Sequence, residues 1–467
     1  MEPNTRRRVF LTMLVVVTAT VWTAHGAAPG SVTEVPVVII AGDGVVRISV
    51  EGYLEERLAL PAGLSATLNT VDTEGRVRLD RWPVAPGDRR TVTLERKSVY
   101  GPETRIFEVT DHGLRQLPRS PKRHFIGEID EEPGSGVLVI LDPRTGLVTG
   151  MSVSGGETFD LEALPGGAPS EVRVIATEER TAGQATSWGC GEEELEQPPE
   201  LPDLPFAAGA LTAEKSTVPL EAVLAVDTDT ELLSQKFSNN TSAAADYVAD
   251  LIAAMNVMYS RDLNVTLIQG TTYLRTGSDP YSANSGGGAS SSELNEFGNY
   301  WKNNYGSNQR TLAAMLSGKS PSSYSASGIA WVGGLCSTSY GYSFSKVFKI
   351  NALASDAKLV GHEIGHNFGS PHTHCYNPPI DQCYGYEGGC YSGATSCPGG
   401  AGTVMSYCHI TGCGSTLDFH PTVINRILTY NVNPATGVCI FEATSSETVF
   451  DDGFEVGGLG AWSSVSQ

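Results

Sequence analysis

The eleven residues from His362 to His372 limit what this chain can become more than any other stretch. They read His362-Glu363-Ile364-Gly365-His366-Asn367-Phe368-Gly369-Ser370-Pro371-His372. Residues four apart in an α-helix lie on one face, so His362 and His366 would present two imidazoles in the same direction. Ser355 is the expected N-cap, with Leu359 and Val360 in the turns that follow. Gly369 stands where the helix must stop, because glycine tolerates the left-handed backbone that reverses the chain. Pro371 stiffens the exit, and the reversal can carry His372 back to the same point. Any fold for this chain must therefore supply one helix, one sharp turn and three converging ring nitrogens.

Three neutral imidazoles suit Zn²⁺, which takes nitrogen ligands at ~2.0–2.1 Å and in catalytic sites keeps one position for water. Glu363 is adjacent to the first histidine yet is not needed as a ligand. It can take a proton from an activated water and later hand it to a leaving amine. Without Glu363 the site would be a metal store; with it, the site is set up for hydrolysis.

Charge narrows the partners. The chain has 31 Lys and Arg against 52 Asp and Glu, a net charge of −21, which argues against nucleic acid as a ligand because a polyphosphate needs clustered cations. The same balance disfavours anionic membrane surfaces. A monomer acting on proteins or peptides is expected. Residues 1–26 read as a signal peptide: Arg6, Arg7 and Arg8 precede an apolar run from Val9 to Val21, and Ala24-His25-Gly26 offers a cleavage site. The run is short for a membrane anchor, so a secreted, extracellular protein is expected.

Nine cysteines agree with export. Eight lie between Cys336 and Cys439, which reads as four disulfides with 105 pairings left open, and Cys190 stands alone upstream.

The rest of the chain divides by composition. Residues 27–190 look β-rich, with strands expected at Val37–Ile40, Val45–Val50, Thr91–Leu94, Arg105–Val109 and Val137–Leu141. This part reads as a separate domain without catalytic groups. Residues 191–216 are acidic and Pro-rich and should form an extended, protease-accessible linker. Residues 217–441 alternate strand and helix: Pro219–Val226, a helix capped by Thr241 or Ser242 and running to Tyr259, Leu263–Gln269, a helix over Ser291–Asn304, Leu312–Leu316 and Gly328–Leu335. That pattern is α/β, with helices over a mixed, mostly parallel sheet. Residues 442–467 form an acidic, Gly/Ser-rich tail, either a terminal sorting signature or a plain disordered end.

The histidine motif, together with Thr403-Val404-Met405-Ser406-Tyr407, resembles the metzincin metallopeptidases. The segments Gly365-His366-Asn367-Phe368-Gly369 and Gly328 to Cys336 are similar to the reprolysin (adamalysin) branch. The likeness covers roughly Leu220 to Cys439. It implies a catalytic domain of α/β (α+β) class with a mixed five-stranded sheet and an active-site helix, preceded by a β-rich propeptide domain. It further implies zinc held by His362, His366 and His372, Glu363 as general base and then acid, and Met405 supporting the metal from a Met-turn. Substrate would lie extended in a cleft and pair with the edge strand near Gly328 to Cys336. By the same analogy Cys336 pairs with Cys439, and a structural Ca²⁺ is admissible, although no loop spells an EF-hand pattern.

Two positions depart from the reprolysin pattern. Thr373 and His374 follow the third histidine where an Asp is usual. Tyr407 occupies the place where astacins and serralysins carry a tyrosine that can approach the zinc; it either donates a hydrogen bond to the developing oxyanion or is a core residue. His374, His409 and His420 are expected to be structural or at the surface. Cys190, in Ser187-Trp188-Gly189-Cys190-Gly191, resembles the cysteine switch of zymogen propeptides, in which a thiolate fills the water position on zinc. An unpaired thiol and a mixed disulfide are the other readings. A secreted adhesin with a vestigial metal site and a metal-dependent amidase are the rival functions.

Overall fold

The computed structural model describes residues 32–35, 47–50, 53–177, 188–191, 195, 213–319, 327–350, 353–397, 399 and 402–443. The expected signal segment, most of the linker, nearly all of the tail and the strand expected at Val37–Ile40 lie outside these residues.

Ten strands between Val32 and Ala176 form one sheet, antiparallel but for the pairing of Val32–Val35. Strand alternation gives it two faces. Along Glu132–Asp142, the side chains of Val137, Val139 and Leu141 enter a core with Trp82 and Phe125, while Leu138 and Ile140 enter a second core shared with the C-terminal half. A strand whose residues are buried on both faces must be covered on both, and the second cover is a helix of the C-terminal half.

The second sheet holds nine strands. In chain order they are β1 (Ile106–Thr110), β2 (Gly113–Leu117), β3 (Gly189–Cys190), β4 (Leu220–Thr228), β5 (Val265–Arg275), β6 (Leu312–Ser317), β7 (Ser327–Ala330), β8 (Tyr342–Lys346) and β9 (Ile440–Glu442). The spatial order is β3-β7-β8-β6-β4-β5-β1-β2, with β9 against the start of β4. The pairs β4–β5, β4–β6 and β6–β8 are parallel, and β7 runs antiparallel to β8.

One expectation is corrected here. The sheet is not five-stranded: β4 to β8 come from residues 220–346, β9 closes on them, and β1, β2 and β3 are contributed by the N-terminal part. The β1–β2 hairpin leaves its own sheet and adds to β5 in parallel, because β5 is an eleven-residue strand whose outer edge would otherwise leave a row of backbone donors and acceptors unpaired.

Among the described residues, four helices pack on this sheet, α1 (Thr230–Phe237), α2 (Thr241–Met258), α3 (Ser291–Tyr305) and α4 (Leu353–Asn367), and α5 (Pro421–Ile427) leads into the helical turn Leu428–Val432. Helix α2 is capped by the Asn240 side chain, which accepts from Ala243 N, and not by Thr241 or Ser242. It is buried over nearly its whole circumference. Where it meets the N-terminal part, its Asp246 and Asp250 take Arg144, Lys122 and His124. Helix α4 begins at Leu353, so Ser355 lies in its first turn and does not cap it. The expected strand Gly328–Leu335 ends at Ala330, and the chain then turns.

Candidate metal centre and active site

Helix α4 carries His362, Glu363 and His366 on its buried side, and all three are inaccessible to solvent. The helix ends as the sequence requires: Gly369 has φ +96°, a conformation that costs a side-chain-bearing residue strain. The reversal returns His372 to the first two rings. His362 Nε2 lies 3.0 Å from His366 Nε2 and 3.3 Å from His372 Nε2. Each ring is held from behind by an acceptor on Nδ1: Val404 O at 2.7 Å for His362, Ser370 O at 2.7 Å for His366 and Glu387 Oε2 at 2.8 Å for His372. An acceptor on Nδ1 places the ring proton there, so all three Nε2 lone pairs face one point.

These lone pairs repel one another unless a cation lies between them. Nitrogen ligands at ~2.0–2.1 Å in tetrahedral array lie about 3.3 Å apart, close to the spacing seen. Burial, and then the neighbouring imidazoles, pushes the protonation of His362 well down; the same causes take His366 to about 3. His362 and His366 are therefore neutral, as metal ligation requires. Beside them Glu363 Oε1 is buried and has no hydrogen-bond partner among the described residues, and burial pushes the Glu363 carboxyl well up. An orphaned carboxylate oxygen beside three imidazoles that turn their Nε2 atoms to one point fits zinc and a water. Cys190 Sγ completes the cluster, 3.5 Å from His366 Nε2 and 3.4 Å from Glu363 Oε2. Cys190 and the three histidines offer ligand atoms within 4.8 Å of one another.

Residues 221–417 match the family model Reprolysin_5, Metallo-peptidase family M12. This stretch is a reprolysin-like metallopeptidase. Among solved structures, the chain is similar to metalloproteinase-II from Bacteroides fragilis, at 12% identity over 78% of this chain and 94% of that one, with a TM-score of 0.42. No curated protein matches the chain.

Around the metallopeptidase centre the remaining sequence candidates find their places. Met405 is fully buried, and its carbonyl accepts from Thr373 N, the residue after His372. Tyr407 sets its ring 4.2 Å from that of His372, tilted by 44°, and donates its hydroxyl to Cys190 O at 3.0 Å. The Cys190 strand β3 runs parallel to β7, with Gly191 N donating to Gly328 O at 2.8 Å. Four disulfides form, Cys336–Cys439, Cys375–Cys390, Cys383–Cys408 and Cys397–Cys413, leaving Cys190 outside them.

Three residues of the metallopeptidase site escaped the sequence reading. Glu387 sits in the loop closed by Cys375–Cys390, and its Oε2 takes both His372 Nδ1 and His374 Nε2, the latter at 2.7 Å. Although burial raises it, hydrogen bonds from these two histidines hold its carboxyl below the usual range. His374 is thus buried and structural; no spacing rule ties a glutamate thirteen residues on to it. Gly328 on β7 leaves the space that the Glu363 carboxylate fills. Trp188 packs against His362 and His409. His420 caps α5, its Nδ1 accepting from Thr422 N.

Proposed function

We propose that this metallopeptidase is a secreted zinc endopeptidase, made as a latent zymogen, that hydrolyses internal peptide bonds of proteins. One observation carries the reading. Three back-bonded imidazoles turn their Nε2 atoms to one point, with the carboxylate of Glu363 beside them.

His362, His366 and His372 would hold the zinc, which when bound supplies a Lewis acid for the substrate carbonyl and lowers the pKa of water towards ~7. The work of the chain itself is positioning and proton transfer. An extended substrate adds to the edge of β7, so backbone hydrogen bonds fix its register. Glu363, raised by burial, takes a proton from the attacking water and passes it to the nitrogen of the departing amine. Tyr407 Oη, which now donates to the Cys190 carbonyl, is placed to donate to a substrate carbonyl oxygen as charge develops there. Val404 O, Ser370 O and Glu387 keep the three rings in one tautomer and one orientation, and Met405 supports the turn beneath them.

Latency is built from the same parts. Cys190 brings a thiol into the cluster and β3 occupies the edge that substrate would use, so the N-terminal segment blocks both metal and strand. Cleavage within 191–216 would free them. Secretion rests on the N-terminal segment 1–26 and on the four disulfides, which persist in oxidising compartments; among the described residues, no helix is long and apolar enough to cross a membrane. The test is casein hydrolysis by full-length Cys190→Ala protein, with and without phenanthroline, beside the Cys190→Ala/Glu363→Ala double variant. Chelator-sensitive cutting that the second substitution abolishes is expected. Activity that survives both would refute the reading, and a protein that binds zinc yet cuts nothing would favour an adhesin.

A further inference from the structure

Trp188 is the residue that the peptidase reading leaves unused. It is only 5% exposed, yet its ring and core partners among the described residues come from the metallopeptidase part of the chain. Its ring stacks on His409 at 4.0 Å and 16° and meets His362 edge-on at 4.9 Å. Phe348 and Leu359, both buried, form the apolar floor with Ile350 at the rim. Its carbonyl accepts from His409 Nε2 at 3.0 Å. The side chain therefore fills an aromatic-walled pocket that shares a wall, His362, with the metal centre. It does so two residues before the thiol that reaches the same centre.

The pocket is built to stay open when its occupant leaves. Leu359 stands on α4, the helix that carries His362 and His366. His409 follows Cys408, which is tied to Cys383, and precedes Cys413, which is tied to Cys397. Walls fixed by a helix and two covalent staples resist collapse, and an indole-sized space with apolar and aromatic sides binds a side chain of that shape.

We propose that Trp188 is a stand-in for substrate: the pocket it fills is the main specificity pocket, and it selects a large aromatic side chain within two residues of the cleaved bond. This rests on the peptidase reading and names the substrate class for it. The segment that brings Cys190 to the metal would then use the pocket's own preference to hold itself in place.

Two measurements on full-length protein test the proposal. In the first, N-acetyltryptophanamide is titrated by saturation-transfer NMR against wild type, Trp188→Ala and Trp188→Ala/His409→Ala. Saturable binding to Trp188→Ala is expected, at least tenfold weaker in wild type, whose own indole fills the space, and weakened by the second substitution. In the second, the Trp188→Ala/Cys190→Ala variant is given a proteome-derived peptide mixture and its cuts are mapped. Phe, Tyr or Trp should be enriched at one position beside the cut, with a preference over Ala of about tenfold or more in matched peptides. Absence of amide binding to Trp188→Ala overturns the proposal. Cuts with no aromatic enrichment, or with a preference for small or charged residues, also overturn it while leaving the peptidase reading intact. No cuts at all, with amide binding retained, overturns the peptidase reading and leaves an aromatic-binding pocket.

Discussion

Gly328→Ala should separate metal binding from turnover. A Cβ built at Gly328 would lie 2.3 Å from Glu363 Oε1 and 2.4 Å from both its Cδ and Cγ. Carbon contacts sit at about 3.5–4.0 Å, so the carboxylate must retreat by about 1 Å. Glu363 is fully buried, so the retreat cannot be taken up by solvent. Overpacking of this kind costs about 1–3 kcal/mol of stability. A displacement near 1 Å at a reacting group costs about a hundredfold in rate, equivalent to about 2.7 kcal/mol of barrier. The three atoms nearest the new methyl all belong to Glu363 and none to an imidazole, so zinc stoichiometry should be unchanged. The assay is kcat/KM on a quenched peptide in the full-length Cys190→Ala background, with zinc content measured on the same samples. Zinc at wild-type stoichiometry with a rate loss near a hundredfold is expected. A rate within threefold of the parent would show that Glu363 does not need its present position, and the assignment of Gly328 as its cradle would be wrong.

Further outcomes follow from the same geometry. Glu387→Gln keeps the shape of the residue behind His372 but removes its charge; zinc affinity, read by chelator competition, should fall about 10–100-fold, and an unchanged Kd would exclude this carboxylate from tuning the ligand. Replacing both cysteines of Cys336–Cys439, which closes 103 residues, should lower the urea midpoint more than replacing Cys375–Cys390, which closes 15. Chain-entropy estimates are about 4.7 and 3 kcal/mol, and a reversed order would refute a loop-closure account. Asp229 is raised to about 6, chiefly by burial, above the ~3.9 of an unfolded aspartate. The folded state thus holds that proton more tightly, and this contribution to stability is complete below about pH 4 and lost as pH rises through 6. Relative to Asp229→Asn, wild type should lose stability across that window; a gain would invert the linkage.

Much of the site was legible in the chain because its logic is local. The four-residue spacing of His362 and His366, the glycine at 369 and the returning His372 are set within three helical turns, where backbone geometry alone decides which atoms can meet. The even count of clustered cysteines was legible for a similar reason. Strand positions held where β-branched runs were long, as at Val137–Leu141. The start of α4 was misplaced because Leu353 and Ala354 precede Ser355 in helical conformation, and a serine in a first turn has the same appearance in sequence as one at a cap.

What sequence alone determined, then, is the chemistry: which donors exist, at what spacing, and that nine cysteines cannot all pair with one another. Tertiary structure decided everything that depends on two distant segments meeting. The β1–β2 hairpin left its own sheet because a long exposed edge was waiting on β5. Glu387 acquired its role only when the Cys375–Cys390 loop folded over His372. Trp188 became a pocket filler because the walls contributed by α4 and by the turn at His409 lie next to each other only in the folded chain. Periodicity reports neighbours along an element; it carries no record of which surfaces will be pressed together once the water between them is gone.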